Sequence, residues 1–172
     1  MYAFTGCSAL TQADFPVCTS ISSAGFYECK NLISVSFPSC TFIGHYAFKS
    51  CYSLAQANFP ACTTIEGSQA FGYCSSLSQA NFPVCTTIPE QTFYHCDGLA
   101  QVSFPACTII GSNAFLYCSK LAYANFPLCT TISYAAFRSC FLLSQASFPV
   151  CTSVGPNAFQ QCYALTQISL PV

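Results

Sequence analysis

Fifteen cysteines and two histidines are the residues with the widest chemical repertoire in this chain. Thiolates bind soft metals, attack electrophiles and form disulfides. The cysteines occupy two addresses. Cys7, Cys29, Cys51, Cys74, Cys96, Cys118, Cys140 and Cys162 each lie three residues before a leucine. Cys18, Cys40, Cys62, Cys85, Cys107, Cys129 and Cys151 each follow Phe-Pro-x. No Cys-x-x-Cys pair occurs, and His45 and His95 fall in different copies of the pattern, so no metal and no cofactor are expected. Neighbours within a column lie one strand spacing apart, about 5 Å. That distance permits disulfides, whose Cα atoms are commonly about 5.5 Å apart. The count is odd, however, and a continuous ladder gives no cysteine a unique partner. Two readings remain: buried free thiols packed as small hydrophobes, or some bridges at the exposed ends. His95 beside Cys96 resembles a base and nucleophile, but adjacent residues rarely face each other and the same cysteine recurs without a histidine. The acids Asp14, Glu28, Glu66, Glu90 and Asp97 share no column, and no GxSxG, P-loop, GxGxxG or HExxH motif is present. The expectation is a protein that is not an enzyme.

Uncharged polar residues form the other arrays. One column reads Gln12, Ser34, Gln56, Gln79, Gln101, Tyr123, Gln145 and Gln167; a second, two residues on, reads Asp14, Ser36, Asn58, Asn81, Ser103, Asn125, Ser147 and Ser169. On parallel strands they make a neutral amide-and-hydroxyl surface about 35 Å long. It is either an amide ladder bonded to itself or a platform for a protein or glycan ligand. The candidate contacts are Gln12, Gln56, Gln79, Gln101, Tyr123, Gln145, Asn58, Asn81 and Asn125, with Tyr123 the one aromatic among them. Thr19, Thr41, Thr63, Thr86, Thr108, Thr130 and Thr152 form an unbroken hydroxyl column. It reads as turn hydroxyls satisfying backbone groups or, with Thr64, Thr87 and Thr131, as an array that orders water as ice-binding surfaces do. Tyr27, Tyr73, Tyr94 and Tyr117, with Phe42, Tyr46, Tyr134 and Phe141, lie outside the core columns, either packed on their neighbours or forming an interface.

All these columns follow from one repeat of 22 residues, lengthened to 23 once, between Ile65 and Phe71. A period of this size marks a supersecondary unit stacked on copies of itself. The unit reads L-x-x-A-x-F-P-x-C-T-x-I-x-x-x-A-F-x-x-C-x-x. Alternation around Ala13 and Phe15 predicts a half-buried strand, ended by Pro16 and its equivalents. The stretch from Ile to Cys is too short for a long helix and predicts a turn with one short helical or 3₁₀ turn near Ala-Phe. Phe4, Phe26, Phe48, Phe71, Phe93, Phe115, Phe137 and Phe159 should form one core column; Phe15, Phe37, Phe59, Phe82, Phe104, Phe126 and Phe148 form another.

The bulk composition limits the partners. Of 172 residues, 53% are hydrophobic and 5% charged, with net charge −1. Regularly placed Phe and Ile exclude a disordered composition. Apolar runs are far shorter than the roughly 18 residues of a membrane span. Four scattered cations, Lys30, Lys49, Lys120 and Arg138, exclude nucleic acid, which requires clustered Lys and Arg. The chain starts and stops within a repeat, so neither a signal peptide nor a polar cap is expected. Val172 matches Val150 and Met1 matches Pro156, so copies stacked head to tail would continue the solenoid almost in phase. Two expectations follow: the chain is a piece of a longer array, or it self-associates through its ends.

Pro after the strand, I-x-x-x-A-F and then C-x-x-L, repeated across the whole chain, resemble the BspA-type (Treponema-type) leucine-rich repeats of bacterial and protozoan surface proteins. The resemblance implies one domain, residues 1–172, an α/β solenoid: a leucine-rich-repeat right-handed superhelix, its parallel β-sheet on the concave face, short turns or 3₁₀/helical turns on the convex face, with about seven repeats and partial terminal ones. It also implies a non-catalytic module of a surface or secreted protein that binds protein or glycan in adhesion. The alternative function is a structural unit that self-assembles through its ends. The Phe-Pro-x-Cys cysteine is not a general feature of that family, and the Ala before x-Phe often replaces a larger aliphatic residue.

Overall fold

The computed structural model describes residues 2–171. Met1 and Val172, on which the head-to-tail phase was reckoned, lie outside them. Fifteen strands follow one another: β1 Gln12–Asp14, β2 Ser20–Ile21, β3 Ser34–Ser36, β4 Phe42–Ile43, β5 Gln56–Asn58, β6 Thr64–Ile65, β7 Gln79–Asn81, β8 Thr87–Ile88, β9 Gln101–Ser103, β10 Ile109–Ile110, β11 Tyr123–Asn125, β12 Thr131–Ile132, β13 Gln145–Ser147, β14 Ser153–Val154 and β15 Gln167–Ser169. Every pairing is parallel and joins a strand to its equivalent one repeat away, as Gln79 to Gln101 and Ile109 to Thr131. The chain is thus a β-solenoid of about seven turns, or rungs. The odd strands make a first sheet in the segments β1-β3, β5-β7-β9 and β11-β13-β15; the even strands make a second in the segments β2-β4-β6 and β8-β10-β12-β14. The second sheet, whose two-residue strands mostly end in isoleucine, departs from the sequence expectation of a turn after the proline.

Rings stack on rings through the core. Phe26, Phe48, Phe71 and Phe93 follow one another at 5.2, 5.2 and 5.5 Å with nearly parallel planes. The second phenylalanine column meets the first edge-on, as Phe71 with Phe82 at 5.7 Å and 70°. Leu54, Leu77 and Leu99, and Ile43, Ile88 and Ile110, line up behind them with no exposure. Burying one such side chain contributes roughly 1.5–3 kcal/mol. That is how a unit too small to hold a core becomes stable when stacked.

The third side departs from expectation. No helix or 3₁₀ turn forms among the described residues. Each rung instead places one residue with positive φ two positions before the core phenylalanine and another two positions after it, as Gln69 (φ 53°) and Tyr73 (φ 63°) flank Phe71. The resulting backbone alternates its donors. The N–H groups of Ala24, Phe26 and Glu28 reach the next rung at His45, Ala47 and Lys49, while those of Gly25, Tyr27 and Cys29 turn back three residues within their own rung. A helix would spend all its donors internally and leave the rungs unjoined on this side. The single 23-residue rung takes its extra residue at Gly67, at φ +66°, directly beneath the His45 ring.

Left-handed backbone is strained for residues with a Cβ, by about 1–2 kcal/mol each. Asn113 has φ 56° in a central rung. Asn113→Val is expected to lower stability by about that amount, and Asn113→Gly to leave it equal or higher, both read as urea midpoints.

Candidate functional site

Pleating sorts the first sheet. Ala57, Ala80 and Ala124 point inward and are buried, while both polar columns point out. Gln12, Gln56, Gln79, Gln101, Gln145, Asn58, Asn81 and Asn125 are all exposed, and Tyr123 stands out at 60%. The strands therefore bring all nine candidate contacts to one face. Bonding along the columns is sparse: Gln79 Nε2 donates to Gln101 Oε1 at 3.4 Å, and Asn81 Nδ2 to Asn58 Oδ1 at 2.9 Å. Among the described residues no other amide in either column bonds to its column neighbour.

The sheet opens twice. At most rungs the Phe N–H after the strand donates to the next strand's end, as Phe15 to Ser36 at 2.9 Å and Phe82 to Ser103 at 2.9 Å. The equivalent bonds from Phe37 to Asn58 and from Phe104 to Asn125 are not made. At these steps the rings of the second phenylalanine column separate to 6.2 and 6.5 Å, against 5.3, 5.4, 4.9 and 5.6 Å elsewhere. Both openings follow a strand whose inward residue is valine, Val35 or Val102, where most rungs carry alanine. The added methyls sit partly exposed and wedge the next rung away. An open cleft of about 370 Å³ lies between β3 and β5, and one of about 320 Å³ spans β7, β9 and β11, reaching Tyr123 and Asn125. Tyr123 also walls a third cleft of about 610 Å³ over β11, β13 and β15. The sequence analysis does not anticipate these clefts; for the first two, the alanine-to-valine exchange is the one trace in the residues.

The cysteines turn out to be architectural. All fifteen are free thiols, and the twelve from Cys29 to Cys151 are buried. In the first series the Sγ–H donates to the phenylalanine carbonyl of the preceding rung, as Cys51 to Phe26 at 3.1 Å and Cys96 to Phe71 at 3.1 Å. In the second it donates to the carbonyl two residues ahead, as Cys85 to Thr87 at 3.3 Å. Burial pushes the Cys62 and Cys107 thiols up to about 12, and it raises Cys74, Cys118 and Cys140 well above the ordinary thiol value. These thiols hold their protons at neutral pH and are not poised for nucleophilic attack.

The remaining arrays also bind the solenoid to itself. Thr41, Thr63, Thr108, Thr130 and Thr152 donate their hydroxyls to the threonine carbonyl one rung back at 3.1–3.3 Å. On the turn side His95 lies between Tyr73 and Tyr117, at 5.3 and 4.4 Å, with Tyr94 edge-on at 4.6 Å. Burial, and then Tyr73, push the Tyr94 phenol up. Asp97 is 3.8 Å from His95, whose ring faces its tyrosine neighbours and not the Cys96 thiol, which bonds to Phe71.

A family model described as the BspA type leucine-rich repeat region matches residues 1–122 and 86–172. The chain is similar to a leucine-rich repeat protein from Bacteroides ovatus, at 27% identity and a TM-score of 0.74 over 96% of this chain. It spans 50% of that protein's length. It is similar also to the T. pallidum leucine-rich repeat protein, at 27% identity and a TM-score of 0.68, covering 96% of this chain and 69% of the other. A leucine-rich cell surface protein from Faecalibacterium prausnitzii shares the fold, at 23% identity and a TM-score of 0.58, over 94% of this chain and 61% of its own length. No curated protein matches the sequence.

Two predictions follow from the thiols. Cys7 is exposed and should alkylate rapidly in the native protein, whereas the buried twelve should react only on unfolding, read by mass spectrometry. Because folding raises the pKa of the eleven thiols from Cys29 to Cys140 above its ordinary 9.0, their contribution to stability is complete below about pH 9 and declines as pH climbs toward 12. Each of these eleven adds a slope of up to about 1.4 kcal/mol per pH unit in that window. Urea midpoints should be flat with respect to thiol ionisation from pH 6 to 8 and collapse above 9.

Proposed function

Because the chain belongs to the BspA-type leucine-rich-repeat family, we propose that it is a non-catalytic binding module whose first sheet takes a protein or glycan ligand in adhesion at a cell surface. The observation that carries this reading is the pair of exposed columns on that sheet. Their amides and hydroxyls are mostly unbonded to one another, and they are offered on a rigid scaffold. The strands already fix the backbone, so a ligand has only side-chain ordering to offset, about 0.5–1.5 kcal/mol for each long side chain it immobilises. The cell-surface description of the Faecalibacterium prausnitzii protein supports an extracellular or cell-surface setting. No helix among the described residues is long and apolar enough to cross a membrane.

A second reading, assembly through the end rungs, rests on Val154, Ile168 and Leu170. They are 38–45% exposed, whereas Ile132, Ala146 and Phe148, one rung earlier, are buried. Further repeats of the same array would cover these groups equally well. Sedimentation across a dilution series tests this reading: concentration-dependent polymers support it, and a constant monomer removes it.

The binding reading is tested by adhesion of the labelled chain to immobilised matrix glycoproteins. A Gln79→Lys and Gln101→Lys double variant should lose at least about tenfold in affinity, or 1.4 kcal/mol. Tyr134→Lys, a change at an exposed residue off this sheet, should bind as the parent does. Equal losses in both, or in neither, would remove the first sheet as the binding face.

A further inference from the structure

We propose that the cleft between β9 and β11 is a subsite for a neutral oligosaccharide, with one sugar ring seated against Tyr123. The inference rests on the binding role proposed for the first sheet and names the chemistry of its ligand.

Three observations carry it. First, the face is free of charge. From Ser34 to Ser169 the two outward columns contain only Gln, Asn, Ser and Tyr123. A polypeptide interface is usually centred on several apolar and arginine anchors, and an anionic glycan or nucleic acid requires cations; neither set is present. Carboxamides carry a donor and an acceptor side by side, the pairing that vicinal hydroxyl groups of a sugar match.

Second, one aromatic ring breaks the amide column. Tyr123 is 60% exposed, and it forms no ring–ring contact among the described aromatic pairs. Its face is therefore free to cover the C–H face of a pyranose, while its hydroxyl stays wet. The turn-side tyrosines differ: Tyr73 and Tyr117 already stack on His95.

Third, the sheet is opened beside that ring. The Val102 wedge leaves Phe104 N–H and Asn125 C=O without the bond their equivalents make. The adjoining cleft of about 320 Å³ is bordered by Gln101, Ser103, Tyr123 and Asn125, enough room for a sugar ring in an open groove. Asn125 lies on the cleft border, where a ligand hydroxyl would take the place of the missing partner.

The test is calorimetric titration of the full chain with neutral hexasaccharides, namely β-1,4-linked glucose, mannose and N-acetylglucosamine and α-1,4-linked glucose, alongside a sulfated one. At least one neutral chain should bind, with affinity unchanged as salt rises from about 0.1 to 1 M. Tyr123→Gln, which installs the column's own residue and so preserves the fold, should weaken binding at least about tenfold. Tyr123→Phe should retain most of it. Val102→Ala should close the cleft, slow exchange of the Phe104 amide and weaken binding, with Tyr123 intact. Binding that ignores Tyr123→Gln or Val102→Ala overturns the subsite. So does binding of the sulfated chain alone, or of none. If matrix glycoproteins still bind through Gln79 and Gln101 after their glycans are removed, the ligand is protein: the sugar subsite falls and the binding module stands.

Discussion

Two phenylalanines per rung, each lying on its own copy in the rung before, are the constraint on which the rest of this solenoid depends. Stacked rings and parallel backbone hydrogen bonds both prefer a separation near 5 Å, so one translation satisfies both at once. The ring column nearer the turns holds 5.0–5.5 Å throughout. Once that translation is set, any residue type recurring every 22 positions must tolerate an identical neighbour at the same distance. Charge fails this condition, because like charges at this spacing repel. Amide, hydroxyl, thiol and ring satisfy it, each by bonding or packing onto its copy or onto the backbone beside it. The near absence of charged residues, 5% of the chain, is thus a consequence of the stacking geometry.

The cysteines show how a chemically reactive residue becomes a packing element under this constraint. Each address needs a side chain small enough for a fully enclosed corner, yet able to donate to a backbone carbonyl there. Alanine fills the space without donating. Serine donates strongly but brings a hydroxyl whose desolvation is costly wherever its geometry is imperfect. A thiol is a weak donor that loses little when its bond is long. At 3.0–3.4 Å from their carbonyls, these sulfurs serve both needs. The same burial that makes them good packing raises their pKa and removes their chemistry.

The strand columns, the core phenylalanines and the outward polar face were legible because period-2 alternation and a strict repeat are written in residue types. Ala13 between Gln12 and Asp14 already says which side is in. The turn side was not legible. Apart from Gly6, Gly67, Asn113 and Asn157, its positive-φ positions are held by Tyr, Gln, Glu, Ala, Ser and His, none of which marks a left-handed backbone as glycine would. There the inter-rung hydrogen bonds, repeated on every rung, outweigh local preference, and a helical or 3₁₀ expectation fails. The thiols were readable as small and buried, but not as donors, since the accepting carbonyls are set by backbone geometry.

The candidate site was legible in one respect only. A repeat announces which residues face out; it does not announce which rung differs. The difference enters through Val35 and Val102, inward residues that touch no ligand. A methyl-sized excess at an inward position cannot be absorbed by a close-packed column. The turn-side rings stay in contact, so the excess appears as a wedge on the first sheet. Function in such an array therefore need not come from a new surface residue alone. A core exchange that opens the ladder and a surface exchange that puts a ring beside the opening act together. At Val102 and Tyr123 the two fall on adjacent rungs, whereas at Val35 the opening stands beside Gln56 and no ring accompanies it. That asymmetry is why the second cleft, and not the slightly larger first one, is the better place for a ligand.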